Sequence, residues 1–205
     1  MKRILIILMA FCLVAPAVNA ELTKEQEKKV SKMAKSRSKE LSKEGYVVMG
    51  GVPLRDALEK HLATVENGAM EQIGTGRSKS KNGCRQMCLA YAMAEYASKS
   101  SSRLKGRVVL DTYGNQINFE NDPEFDRFYA AFERLTQKEI KGEMKESFSV
   151  MKEMPDGSYS VIMYLTIDST KAAESGEKAI RAAAAESGIS KDYAEMMLED
   201  WKNKK

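Results

Sequence analysis

The sequence is short of the residues on which most enzyme active sites depend. It contains one histidine, His61, and three cysteines among 205 residues. Serine and cysteine nucleophiles usually need a histidine base, so such a site must use His61, which we predict to lie at the edge of a helix face. Zinc sites need three or four suitably spaced ligands, and only His61, Cys84 and Cys88 are available. We therefore predict no catalytic, cofactor-binding or metal site.

Long apolar runs are scarce as well. The one clear run, Ile4 to Val14, is shorter than the roughly 20 residues that span a bilayer, and no second run follows it. Lys2-Arg3 precedes the run and the small residues Val18-Asn19-Ala20 follow it, which is the pattern of a secretory signal peptide. We predict removal of residues 1–20, export to the periplasm or cell envelope, and no transmembrane segment in the mature chain.

The three cysteines raise two further hypotheses. Lipidation of Cys12, inside the leader, needs a small residue directly before it, but Phe11 stands there, so soluble export is favoured. Cys84 and Cys88 lie four residues apart in a predicted helix and share a face, close to the N-terminus, where the dipole lowers a thiol pKa. Three interpretations of this candidate thiol pair stay open. It is a pair of small buried hydrophobes, which burial statistics favour, a strained disulfide, or a reactive or metal-binding pair.

Charge of one sign does not dominate the chain. Lysine and arginine number 33 and aspartate and glutamate 29, giving a net charge of +4 that falls to +2 without Lys2 and Arg3 of the leader. The two signs interleave along the sequence, which argues against a nucleic-acid or acidic-membrane footprint. The lysine-rich stretch after the leader is interpreted as solvated charge.

The remaining sequence is a succession of capped amphipathic helices and short strands. Helices are predicted over residues 24–44, from Pro53, over 84–104, from Pro123, over 170–187 and over 190–203. Strands are predicted at 46–49, 69–78 and 107–112, followed by a hairpin of 148–154 and 159–167. Four aromatic residues give the clearest helical face, which we expect to cover the sheet: Phe125, Phe128, Tyr129 and Phe132. The predicted class is α+β, with a small mixed or antiparallel sheet, an N-terminal helical extension over 21–66 and an α+β domain over 67–205.

Three segments of this pattern resemble the LPP20-like group of bacterial envelope proteins. The segments are Gln72-Ile73-Gly74-Thr75-Gly76, Leu89-Ala90-Tyr91-Ala92-Met93-Ala94-Glu95-Tyr96-Ala97 and Gly157-Ser158-Tyr159-Ser160-Val161-Ile162-Met163-Tyr164-Leu165. The resemblance covers about residues 69–167. It implies a small α/β sandwich exported to the envelope, with no agreed catalytic residues to carry over. Members of the group are often lipoproteins, whereas this chain has no lipobox.

Export, the absence of a catalytic constellation and this resemblance together favour a non-enzymatic envelope protein that acts as a binding or assembly module. Its partner is expected to be an envelope protein, not nucleic acid, and its identity and the oligomeric state stay open. Two alternatives remain. One is a thiol-active protein using Cys84 and Cys88 near His61, and the other is a small-ligand carrier with a pocket between the sheet and the aromatic helix.

Overall fold

A computed structural model describes residues 21–112 and 123–203, the side chains of 107–112 excepted. The predicted leader lies outside the described residues, and so does Asp122, which the pattern Asp122-Pro123-Glu124 predicts as the N-cap of the helix from Pro123. The described chain forms six helices and a four-stranded sheet, which confirms the α+β class. The helices are α1 (Lys24–Lys43), α2 (Leu54–Glu66), α3 (Lys81–Thr112), α4 (Pro123–Ile140), α5 (Ser169–Ser187) and α6 (Lys191–Lys202). The strands are β1 (Val47–Val48), β2 (Met70–Ser78), β3 (Met144–Glu153) and β4 (Tyr159–Ile167).

Local capping explains where several of these helices begin and end. At the start of α1, the Thr23 hydroxyl accepts from the Gln26 amide while the Gln26 side chain accepts from the Thr23 amide, the reciprocal pair of a capping box. The chain leaves α1 through Gly45, whose φ of +85° lies in the left-handed region. Ser190 caps α6 as predicted, by accepting from the amide of Tyr193.

The sheet is antiparallel throughout, with the strand order β1-β3-β4-β2. The predicted hairpin forms its centre, although β3 begins at Met144, earlier than expected. A register shift between Glu146 and Phe148 places an extra residue in β3, and such a bulge reverses the faces to which the following side chains point. One edge of the sheet carries the two-residue strand β1, and the other edge is the nine-residue strand β2.

Helices cover both faces of the sheet. The face that carries Val161, Met163 and Leu165 of β4 packs on α3, and the face that carries Tyr164 packs on α1 and α2. The core on the side of α1 and α2 also holds these buried residues: Val30, Ala34, Leu41, Ala57, Leu58, Leu62, Phe148 and Val150. The predicted N-terminal extension therefore lies on the sheet, and β1 adds a strand to it. Among the described helices, none is long and apolar enough to cross a membrane.

Residues 107–112 are not the predicted strand, because α3 continues through them to Thr112. The prediction rested on the apolar run Val108-Val109-Leu110, and a short apolar run cannot separate a strand from a buried turn of helix by its pattern. No proline interrupts the segment, and Gly106 costs a helix only about 1 kcal/mol relative to alanine. The beginning of α3, at Lys81, also precedes the predicted start.

The aromatic face of α4 does not cover the sheet as expected. Phe125, Phe128 and Phe132 are buried in a separate cluster with α5, α6 and Leu104 of α3. The ring of Trp201, from α6, meets Phe132 edge-to-face at 6.0 Å. Alanine-rich α5 packs closely against these rings, so the aromatic face of α4 is directed towards α5 and α6 and not towards the sheet.

Because α3 packs closely on β2, the addition of one methyl group at Gly74 should strongly reduce the stability of the fold. A Cβ atom at Gly74 would lie 2.1 Å from the backbone oxygen of Cys88, and a helix backbone cannot move aside without disturbing its own hydrogen bonds. We expect Gly74→Ala to lower the free energy of unfolding by about 3 kcal/mol, measured by urea denaturation. Gly51→Ala is the control, since a Cβ there meets no atom within 4 Å. Equal stability of the two variants would contradict the close contact.

Candidate functional site

The candidate thiol pair lies at the junction of α3 with the sheet. Cys84 and Cys88 are both free and completely buried. The Sγ of Cys84 donates to the carbonyl oxygen of Tyr159 at 3.2 Å, and the Sγ of Cys88 donates to that of Val161 at 3.4 Å. Both thiols therefore point towards the backbone of β4. This placement agrees with the interpretation as small buried hydrophobes.

The electrostatic surroundings of Cys88 oppose reactivity of its thiol. Burial, followed by the neighbouring Cys84 and Glu146, raises the pKa of the Cys88 thiol to about 11, whereas a nucleophilic cysteine needs a lowered pKa. Within the described residues, no group of three histidine, cysteine or carboxylate side chains could hold a metal ion. His61 lies across the sheet from the cysteines, so the structure does not bring together the three residues of the thiol-active hypothesis.

We predicted that His61 lies at the edge of a helix face. In the structure it is buried instead, with 1% of its surface exposed. Its Nε2 atom lies 2.9 Å from Oε1 of Glu71 on β2. The imidazole ring packs edge-to-face against Phe148 at 5.8 Å and Tyr164 at 5.5 Å. The Nδ1 atom is buried with no hydrogen-bond partner in the described part of the chain. Since an ionised Glu71 can only accept, Nε2 carries the proton of this hydrogen bond.

Glu71 is also held by a cation from α1. The guanidinium of Arg37 on α1 makes two contacts with its carboxylate, at 2.6 and 3.4 Å. Burial by itself would raise the pKa of Glu71, but the hydrogen bonds from His61 and Arg37 and the charge of Arg37 outweigh it and lower the pKa from 4.5 to about 2. Arg37, His61 and Glu71, here called the charged clamp, therefore join α1 and α2 to the sheet. No sequence signal identified it, since single charges in amphipathic helices are common.

The outer edge of β2 is the feature of the structure best suited to binding. As the last strand of the sheet, β2 pairs only with β4 in the described chain. An edge strand directs half of its N–H and C=O groups outward, where another chain can pair with them. The charged clamp covers the beginning of β2 at Glu71, but Thr75 and Arg77 further along are exposed. In the described chain, the backbone of Ile73 to Arg77 has no hydrogen-bond partner other than β4, and this segment is here called the open edge.

An apolar ledge on α3 borders this open edge. Met87 is 49% exposed and Tyr91 50% exposed, and they lie one helical turn apart. A Cβ atom at Gly76 of β2 would lie 2.9 Å from the Cβ of Met87, so the ledge runs along the strand. Arg85, which pairs with Glu146 of β3, marks the opposite side of α3. The ledge therefore lies on the side of the free edge.

The helical spacing of the sequence predicts that Cys84, Cys88 and Tyr91 lie on one line of the helix. In the structure, the buried line of α3 instead continues from Cys88 to Ala92 and Tyr96. The difference arises because residues at i+3 and i+4 both fit a helical face, and only the direction of approach to the sheet decides between them. Tyr91 therefore joins Met87 as a pair of half-exposed apolar side chains on α3.

The thiol geometry predicts protection in the folded protein. We expect Cys84 and Cys88 to resist iodoacetamide at pH 8 for hours and to react fully in denaturing urea, because neither sulfur is accessible and the pKa of Cys88 is high. Mass spectrometry after timed labelling measures both rates. Rapid labelling of the native protein at either residue would instead support the thiol-active alternative.

The charged clamp predicts a specific loss of stability in acid. The pKa of Glu71 is lower in the folded chain than its ordinary value, so its stabilising effect is complete above about pH 4.5 and disappears as the pH falls towards 2. We expect Glu71→Gln to cost about 2–3 kcal/mol at pH 7 and to flatten the stability profile in that window. Glu25→Gln, at an exposed position of α1, is the control. A profile for Glu71→Gln that is as steep as the wild type would contradict the assignment.

Comparison with known proteins adds no assignment to this geometry. No protein-family model, no curated protein and no solved structure matches the chain. The resemblance to the LPP20-like group accordingly stays a prediction that rests on the three sequence segments given above. The functional conclusion has to come from the chemistry of the described residues, and the most informative of them form the open edge of β2 and its apolar ledge.

Proposed function

We propose that the protein is an exported, non-enzymatic envelope protein that binds a partner by accepting an extended segment along the open edge of β2. The observation that carries this proposal is the juxtaposition of that edge with the apolar ledge of Met87 and Tyr91. Strand addition of this kind obtains affinity from main-chain hydrogen bonds, and it obtains specificity from pockets for alternate side chains.

The two faces of such an added strand would meet different surroundings. On one face, every second side chain would lie against Met87 and Tyr91, which favours apolar residues at those positions. On the other face, the neighbours on β2 would be Thr75 and Arg77, which favours polar residues. The charge of Arg77 is already balanced by Asp156 at 2.8 Å, and Ser158 accepts from it at 2.9 Å, so no acidic residue is required of the partner there. The expected ligand is a segment that alternates apolar and polar side chains.

Export is the second part of the proposal. It is supported by the positive start, the short apolar run and the small-residue site within residues 1–20. The resemblance to the LPP20-like group supports it as well. A free strand edge beside an apolar ledge is prone to unwanted association unless it is occupied, so a partner for the open edge is expected wherever the protein acts.

Site-specific cross-linking in the native host tests the binding surface. A photo-reactive residue at Thr75, on the open edge, is compared with the same residue at Thr170, which is equally exposed at the start of α5. We expect one discrete partner to be captured from position 75 and not from position 170. A second copy of the chain as that partner would identify assembly as the role.

A matched pair of variants distinguishes binding at the apolar ledge from nonspecific hydrophobic association. Tyr91→Glu places a charge beside the edge, and Val52→Glu makes the same kind of change at a site 55% exposed elsewhere. We expect Tyr91→Glu to reduce capture from position 75 at least about tenfold, since burying an unpaired charge costs several kcal/mol, and Val52→Glu to leave it unchanged. Equal capture in both variants, or from both cross-linking positions, would exclude the open edge as the binding surface.

A further inference from the structure

A second surface, on the solvent side of α1, differs in its chemistry from the open edge. Lysines recur along this helix at spacings of four, four, three, four and four residues: Lys24, Lys28, Lys32, Lys35, Lys39 and Lys43. At 100° per residue these positions occupy an arc of about 100° and a length of about 28 Å. All six side chains are exposed. We call this arc the lysine face.

The lysine face is directed away from the protein core. The buried residues Val30, Ala34 and Leu41 lie on the other side of α1, at about 210° around the helix from the centre of the lysine face. The two basic residues of α1 outside the face are both engaged, since Lys29 pairs with Glu66 and Arg37 with Glu71. The basic residues of α1 therefore fall into two groups. Lys29 and Arg37 form ion pairs within the fold, and the six lysines of the lysine face point into solvent.

Within the described residues, none of the six lysines has an acidic group within ion-pair distance. One acidic residue of α1, Glu25, falls in the same arc. Positive and negative residues are interleaved along the sequence, but the helix places the lysines on one side. The lysine face carries a local charge of about +5 on a protein whose total charge is +4. Such a concentration of one sign is a long-range attractor for polyanions.

We propose that the lysine face docks the protein on the surface of an anionic lipid bilayer. The face is straight and contains lysines without arginine, so it presents compact point charges rather than the planar forks that read bases and bind phosphates in pairs. No aromatic side chain lies on α1 to stack on a base. The choice of lipid over nucleic acid also rests on the proposed export. The existence of the lysine face does not depend on whether a partner binds the open edge of β2.

The chemistry of the lysine face sets the character of this docking. No apolar side chain shares the arc, so the helix would rest on the head groups without inserting into the acyl region, unlike amphipathic membrane helices. Each lysine near an anionic surface strengthens binding about fivefold, and the attraction falls off within a Debye length. Binding is therefore reversible, and it weakens steeply as salt rises.

Sedimentation with lipid vesicles tests the proposal on the protein as purified from its host. We expect it to bind vesicles of phosphatidylcholine that contain about a third phosphatidylglycerol, to ignore pure phosphatidylcholine, and to dissociate at high salt. The triple variant Lys28→Gln, Lys32→Gln and Lys35→Gln should bind about 100-fold more weakly. Circular dichroism verifies that α1 is retained, because glutamine is nearly as good a helix former as lysine.

A matched triple variant provides the control. Lys145→Gln, Lys178→Gln and Lys191→Gln remove the same charge from exposed positions outside α1 and should leave vesicle binding within about twofold of the wild type. Equal loss in the two triple variants would overturn the proposal, because net charge alone would then govern binding. Binding to a DNA duplex as tight as to the vesicles would overturn the assignment to lipid. Failure in this assay leaves the cross-linking result at Thr75 unaffected, so the two proposals are judged separately.

Discussion

The close approach of α3 to β2 is the contact on which the rest of the fold depends. Gly74 and Gly76 have no side chains, so the backbone of the helix rests almost directly on the backbone of the strand. Cys84 and Cys88 then fit beneath the helix, with their thiols against the carbonyl groups of β4. A side chain at either glycine would separate the two elements and open the core between α3 and the sheet. The same approach brings Met87 beside the strand and so forms the apolar ledge.

The opposite face of the sheet is held in a different way, by charge as well as by apolar packing. Arg37 and His61 converge on Glu71 from two helices, in a site that is largely closed to solvent. A buried carboxylate with two hydrogen-bonded partners is stable, but the loss of one partner is costly. The charged clamp consequently fixes the position of α1, and with it the direction in which the lysine face points.

The sequence allowed most elements to be predicted, and the failures have physical causes. Strong caps and turn residues located α1, the hairpin and the last two helices, because these signals are local. Residues 107–112 failed because an apolar triplet fits a strand and a helix equally well. The partners of His61 and of the aromatic face of α4 could not be predicted, since they come from segments distant in sequence. The lysine-rich stretch was interpreted only as solvated charge, and the gathering of its lysines on one face of α1 became clear from the structure.

The two edges of the sheet differ in a way that limits how many chains the protein can join. β1 is two residues long and lies beside a bulged strand, which makes that edge a poor template. β2 offers nine residues in regular register with β4. Among the described strands, only β2 therefore presents a long regular edge. Under the proposed strand addition the protein would accept one extended segment, by ending a partner's sheet or by pairing with one copy of itself about a two-fold axis, and it would not propagate a filament.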